Sequence, residues 1–333
     1  MSIISLSERE RRIIAAVGGR ADLQSTELAR IAQVPLQQFH RSLDRLITEG
    51  VLRKLWIIDP ARLGLLRFAI YFSLRPRKVA LKQQILKGLI AAPQVVMLQE
   101  IGGEFEFEMT VLARSPLALI DFLFSLPADH SAAFVNKSVA TRRSLRFYPR
   151  KYLSSRNKHA PGLVVGGELI SSSVDALDDR VLTALDSNPL ASRRAIARLL
   201  GLPDSTADLR IRKLMKDRVI VGATYSTSPA LYGATTYKLL LFARGYSTEF
   251  RERLSKFAEA HPNVTFLIDG FGDWDYELGI EVEESQQLIA VREAVSTEFG
   301  SSLHAIKVVT RFRVLKQRGY LTNVERAQIP NRD

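Results

Sequence analysis

Two kinds of polar cluster in this 333-residue sequence have residue types and spacing suited to chemistry. The first is cationic. Gln37, Gln38, His40, Arg41 and Arg45 fall on one side of an amphipathic segment, and Ser205, Thr206, Arg210, Arg212, Lys213 and Lys216 do the same in another. Glutamine and arginine read base edges, and arginine and lysine clamp phosphates. Leu209 interrupts the second face. The other kind is acidic and follows a glycine: Gly103-Glu104-Phe-Glu106-Phe-Glu108 and Gly272-Asp273-Trp-Asp275-Tyr-Glu277. Backbone N–H groups in a glycine turn hold a carboxylate, and an adjacent Asp holds an ammonium group, so these loops suit a small zwitterion. The alternation with aromatic residues also predicts a strand, with Glu106, Glu108 and Glu277 on its solvent face.

Other chemistries find little support. There is no cysteine, which excludes disulfides and thiolate chemistry. The five histidines, His40, His130, His159, His261 and His304, do not cluster. No phosphate-binding glycine loop or nucleophile motif is present, so the expectation is a protein that is not an enzyme and holds no cofactor or metal. The 47 Lys+Arg against 35 Asp+Glu give a net charge of +12, which points to a polyanionic partner, double-stranded DNA above all. By segment the net charge is +2 for residues 1–60, +8 for 61–176, +3 for 177–226 and −1 for 227–333. The last segment therefore needs another role. No apolar run approaches the roughly 20 residues needed to cross a bilayer, and the N-terminus lacks a secretory pattern. A cytoplasmic, nucleoid-associated protein with no membrane partner is expected.

The elements that carry these clusters occur twice. Glu10–Val17 aligns with Asp178–Leu185 at an offset of 168, as Leu28–Pro35 does with Ile196–Pro203. After one inserted residue the offset becomes 169, and Gly103–Met109 meets Gly272–Leu278 while Thr141-Arg142 meets Thr310-Arg311. Such a register marks a tandem duplication. Each copy begins with three helices and a short strand. Helix two spans Ser25–Ala32 or Arg193–Leu200, with Ser25 a candidate cap. Helix three buries Phe39, Leu43, Leu46 and Ile47, or Ala207, Ile211, Leu214 and Met215, on one stripe. The runs Leu52–Ile58 and Val219–Tyr225 follow as wings. This is a winged helix-turn-helix pattern.

The rest of each copy reads β-α-β-β-α-β, the ferredoxin-like plait. Phe68, Ile70, Phe72 and Leu74 alternate in its first strand, and last strands are expected at Val135–Thr141 and Ile306–Val314. A plait covers one sheet face with helices, so the other face needs a partner. The fold class is therefore α+β. Expected domains are a winged helix-turn-helix at 1–60, a plait at 61–152, a linker at 153–176, a second winged helix-turn-helix at 177–226 and a second plait at 227–320. The tract Arg142-Arg143, Arg146, Arg150-Lys151, Arg156 and Lys158 has no acid. It is expected as a solvated linker, with phosphate contact as the sharper alternative.

This combination resembles the Lrp/AsnC (feast/famine) family of transcription regulators, over nearly all of both halves. Leu202-Pro-Asp-Ser-Thr-Ala-Asp-Leu-Arg-Ile-Arg-Lys-Leu214 and Gly270-Phe-Gly-Asp-Trp-Asp-Tyr276 carry the resemblance. It implies a DNA-binding regulator. Arg210 matches the family's recognition-helix arginine, and the first copy has Ser42 there, so the two heads are expected to read DNA unequally. The resemblance also implies a small effector, commonly an amino acid, bound near Gly272, Asp273 and Asp275. Gly103 and Glu104 are the first copy's counterparts. Single-unit relatives pair as dimers, so this chain is expected to form a pseudo-dimer within itself, with scope for further self-association. Siroheme decarboxylases share the two-part architecture and form the enzymatic alternative.

Overall fold

The computed structural model describes residues 3–75, 79–154 and 162–329. Arg156, Lys158 and His159 lie outside them. The first head comprises α1 (Glu8–Val17), α2 (Ser25–Ala32), α3 (Leu36–Thr48) and the wing β1 (Leu52–Ile58). A capping box starts α1, with Ser7 and Glu10 bonding each other's backbone N–H. Ser25 is the first residue of α2, and the cap position is Gln24, which makes no side-chain bond. Ile13, Ile14, Val17, Leu28, Phe39 and Leu46 are buried together between the helices.

The first plait contains β2 (Leu66–Leu74), α4 (Val79–Ala91), β3 (Val95–Gly102), β4 (Phe107–Ala113), α5 (Pro116–Phe124), the single turn α6 (Ala128–Ser131) and β5 (Phe134–Phe147). A short strand, β6 (Val164–Gly166), lies in the segment expected as linker. The second head follows as α7 (Ala176–Ser187), α8 (Arg193–Leu200), α9 (Asp204–Lys216) and wing β7 (Ile220–Thr227). The second plait is β8 (Thr235–Ala243), α10 (Thr248–Ala260), β9 (Val264–Gly272), β10 (Tyr276–Val282), α11 (Ser285–Phe299) and β11 (Leu303–Gln317), and α12 (Asn323–Ala327) comes last.

The two plaits do not merely stack. Their edges join: β3 pairs with β11 and β9 with β5, all antiparallel. With the pairings inside each plait, the strands close into a ring β2-β4-β3-β11-β8-β10-β9-β5 that returns to β2. Closure leaves no exposed edge in the ring. It also explains why β5 and β11 run well past their expected ends, since each serves its own sheet and the other's. Where β2 leaves β5, β6 takes its place, pairing Ser144 to Arg146 with Gly166 to Val164. The heads join likewise, β1 pairing antiparallel with β7 from Leu52↔Thr227 to Ile58↔Ile220.

Alternation along β2 now serves two interiors. Phe68, Ile70, Phe72 and Leu74 join the core with Ile85 and Leu89 of α4. On the opposite face, Ala69 and Tyr71 cluster with Ile101, Phe105, Ala140, Leu240, Trp274 and Val309 inside the ring. Helices α10 and α11 cover the second plait through Phe250, Leu254, Val291, Val295 and Phe299.

Candidate DNA interface and charged interior

On α3, Phe39, Ser42 and Leu46 are buried, and Gln37, Gln38, His40, Arg41 and Arg45 are exposed. On α9, Ala207, Ile211 and Leu214 are buried. Ser205, Arg212 and Lys216 are exposed, and Thr206, Arg210 and Lys213 are half-buried. Leu209 is 67% exposed, an apolar group within a cationic face.

Ion pairs divide these cations. Arg45 lies 2.9 Å from Glu10 and 2.9 Å from Glu49. Lys213 lies 2.8 Å from Asp178, and Arg210 pairs with Asp175 and, at 3.2 Å, with Asp178. Glu10 and Asp178 are the third residues of the two capping boxes, and both are buried. Arg45 and Lys213 therefore fasten the third helix of each head to its first. The hydrogen bond that Arg210 donates to Asp175, followed by the one it donates to Asp178, raises the Arg210 pKa. The backbone N–H of Asp178 and then Arg210 hold Asp175 below the usual carboxylate range. Arg212 is 2.5 Å from Asp208, and Arg9 donates to Gln38 at 3.1 Å. Among the described residues Gln37, Arg41 and Lys216 make no ion pair or side-chain hydrogen bond. Ser42, the counterpart of Arg210, faces the core.

The glycine loops sit at the two seams of the ring. Gly103 has φ +123°, and a Cβ there would lie 3.0 Å from the carbonyl oxygen of Val308 on β11. Gly272 has φ +147°, and its Cβ would come within 2.4 Å of the carbonyl oxygen of Val139 on β5. Both positions need glycine. Asp273 extends the second seam, its N–H donating to Val139 at 3.0 Å and its carboxylate accepting the Val139 N–H at 2.8 Å. Asp275 is buried and accepts the Ala243 N–H at 2.8 Å. Glu104 lies 2.6 Å from Lys307 at the other seam. Both Asp side chains already have backbone partners.

Two expectations are corrected inside the ring. Glu108 and Glu277 do not face solvent, because ring closure buries that face of β4 and β10; they are 0% and 1% exposed. Glu106 alone stays partly exposed, beside Arg75 and Lys82. Nor is the described part of the cationic tract, Arg142 to Lys151, a solvated linker, because β5 carries Arg142 inward. Arg142 is bidentate to Glu277, with Nε and Nη2 each 2.7 Å from a carboxylate oxygen. It also lies 2.6 Å from Glu108 and 2.8 Å from the Thr110 hydroxyl. Lys238 is 2.6 Å from both Glu108 oxygens and 3.3 Å from Glu277. Tyr71, Trp274 and Gln99 complete the cluster.

Two cations against two carboxylates leave the cluster neutral, as a buried charged network requires. Burial by itself would raise the Glu108 pKa, but Lys238 and Arg142 outweigh it and hold the carboxyl at about 2. Burial, then Glu108 and Glu277, push the Tyr71 hydroxyl far up. Elsewhere in the tract Arg150 is 2.8 Å from the buried Glu281, and Arg143 is 3.1 Å from Asp269. Glu108 and Glu277 lie at matched positions, as do Arg142 and Arg311; that repeated opposite charge was the available signal in the sequence.

Comparison with known proteins adds to this geometry. A winged helix-turn-helix DNA-binding family matches residues 174–221. The HTH-type transcriptional regulator FL11 of Pyrococcus horikoshii is 27% identical over 117 residues, covering 34% of this chain and 75% of that protein. Its Pyrococcus abyssi counterpart is 26% identical over 127 residues, covering 38% and 82%. Among solved structures, the siroheme decarboxylase NirDL covers 93% of this chain and 92% of its own, with a TM-score of 0.55 at 12% identity. That likeness concerns the fold. The second head thus matches a winged helix-turn-helix DNA-binding family, and the chain is built of two winged helix-turn-helix and plait units in tandem.

Proposed function

We propose that the protein is a sequence-specific DNA-binding transcriptional regulator that responds to a small-molecule effector, an amino acid. The observation that carries this reading is the exposed polar face of α3 and α9 on two heads tied by one β1–β7 ribbon. Gln37, Gln38, His40, Arg41 and Arg45 serve the first head, and Ser205, Thr206, Arg210, Arg212 and Lys213 the second. Their faces differ, so the operator is asymmetric. Binding to genomic DNA fragments should weaken steeply as salt rises, because phosphate contacts release counterions. Absence of binding at low salt would end the regulator reading.

The effector site lies at the seams, at Gly272, Asp273 and Asp275 and at the counterparts Gly103 and Glu104. Support comes from the positive-φ glycines and from the acidic side chains beside them. A screen of the common amino acids should find one that raises the melting temperature, with the shift lost in Asp273→Asn. The plaits pair within the chain, and further copies associate around them. The enzymatic alternative draws on the fold shared with a siroheme decarboxylase over 93% of this chain. Adding siroheme and recording the Soret band separates the two readings, since a shift with turnover favours the enzyme.

A further inference from the structure

The two halves differ at one cavity, and the difference points to a ligand. Beneath the wing of the first head lies a cavity of about 150 Å3, walled by β1, by the end of the ring and by the chain that follows β11. Trp56, Ile58, Met97, Leu112 and Phe147 make its lining largely apolar. Arg67 also lines it, as the cross-strand partner of Leu112. Among the described residues Arg67 makes no ion pair and no side-chain hydrogen bond. The acid that influences it is Asp59, whose two oxygens accept the N–H groups of Ala61 and Gly166. Burial pushes the Arg67 pKa down to about 10, against the opposing pull of Asp59. The neighbouring Arg142 is saturated by Glu108, Glu277 and Thr110. The Trp56 indole N–H is buried without a partner.

In the second half the same place is satisfied internally. At the 169-residue offset Leu112 becomes Glu281, Arg67 becomes Thr236, and Arg150 stands where the other half has Gly319. Arg150 and Glu281 make a two-bonded ion pair at 2.8 and 3.1 Å, and Tyr152 donates to Glu281 at 3.2 Å. One half thus has a cation with its carboxylate. The other has a cation, an apolar wall where the carboxylate would be, and an open space.

We propose that this cavity binds a small monocarboxylate with an apolar body, its carboxylate on Arg67 and its body against the side chains of β1 and the ring. A cavity of this size accommodates a benzene-sized group. The site is separate from the seam loops, and because Trp56 and Ile58 belong to the wing, occupancy bears on how the first head sits.

Titration calorimetry of the full chain with benzoate and with isovalerate, and with benzyl alcohol as the uncharged control, tests this. Binding of at least one acid and none of the alcohol is expected. Charge-assisted bonds of this kind correspond to about tenfold to hundredfold in affinity, so Arg67→Met should weaken the acid by that factor while Arg67→Lys retains part of it. Leu112→Glu should place a carboxylate opposite Arg67, abolish acid binding and leave the melting temperature no lower. Equal binding of acid and alcohol, persistence in Arg67→Met, or no binding of either acid would overturn the proposal. DNA affinity of the same preparations reports separately on the regulator reading, and circular dichroism reports on folding.

Discussion

Replacing Lys238 by Met removes one of the two cations at the centre of the ring and leaves Glu108 and Glu277 sharing Arg142. Breaking a buried pair by deleting one partner costs about 3–5 kcal/mol. The direction agrees with the electrostatics: Lys238 is the first of the two cations that hold the Glu108 carboxyl below its ordinary range against burial. For a ring of this size that cost amounts to a fall in melting temperature of roughly 6–20 °C. The folded pKa is the lower one, so this stabilisation is complete above pH 4.5 and disappears as pH falls towards 2. The gap between variant and parent should therefore be widest near neutrality and narrow in acid. Adding Glu108→Gln to Lys238→Met leaves the bidentate Arg142–Glu277 pair intact. The double variant should recover part of the loss, with a coupling of about 1–3 kcal/mol. Thermal unfolding followed by circular dichroism between pH 3 and 8 measures the parent, Lys238→Met, Glu108→Gln and the double variant. Additive losses, or a Lys238→Met curve superimposable on the parent at pH 7, would refute the account of the interior.

Two further outcomes follow from the seams and the heads. Gly272→Ala should open the β9–β5 seam, seen as faster amide exchange at Val139, because the new Cβ meets the Val139 oxygen at 2.4 Å and φ is +147°; unchanged exchange would contradict the close approach. Arg41→Ala should lower DNA affinity, reduce the salt dependence by about one phosphate contact and leave stability unchanged, whereas Arg45→Ala should also loosen the first head by freeing the buried Glu10; equal thermal effects of the two would refute this division.

Much of the architecture was legible because it rests on periodicity and repetition. The apolar spacing of α3 and α9, the alternation of β2 and the 168/169 offset each identify an element without reference to what surrounds it. The interior was not legible, because a period of two states only that Glu106 and Glu108 share a face. Whether that face is wet depends on β9 reaching β5, some 130 residues away in the chain. The same blindness affected the cations. Arg142 and Arg150 look like linker charge until ring closure sets each against a carboxylate, and nothing along α3 alone shows that Arg45 also reaches Glu10 of α1. Charge is read poorly from one strand or helix at a time, since its meaning lies in the partner.

Fusion of the two units lets the interior depart from symmetry. Two identical chains closing the same ring would place every inward side chain twice, and a lysine at one position would force a second at its mate. Here Lys238 stands opposite Ala69 in the aligned halves, so a single lysine is added. With Arg142 it balances Glu108 and Glu277, while Arg311, the mate of Arg142, turns instead to Thr236 at 2.9 Å. The same freedom gives one half the Arg150–Glu281 pair and the other half Arg67 beside Leu112, and gives α9 an arginine where α3 buries Ser42. Each difference would be forbidden or doubled in a homodimer. The duplicated chain keeps the closed ring that two units require, and within it the halves have diverged in how they fill the space beneath each wing.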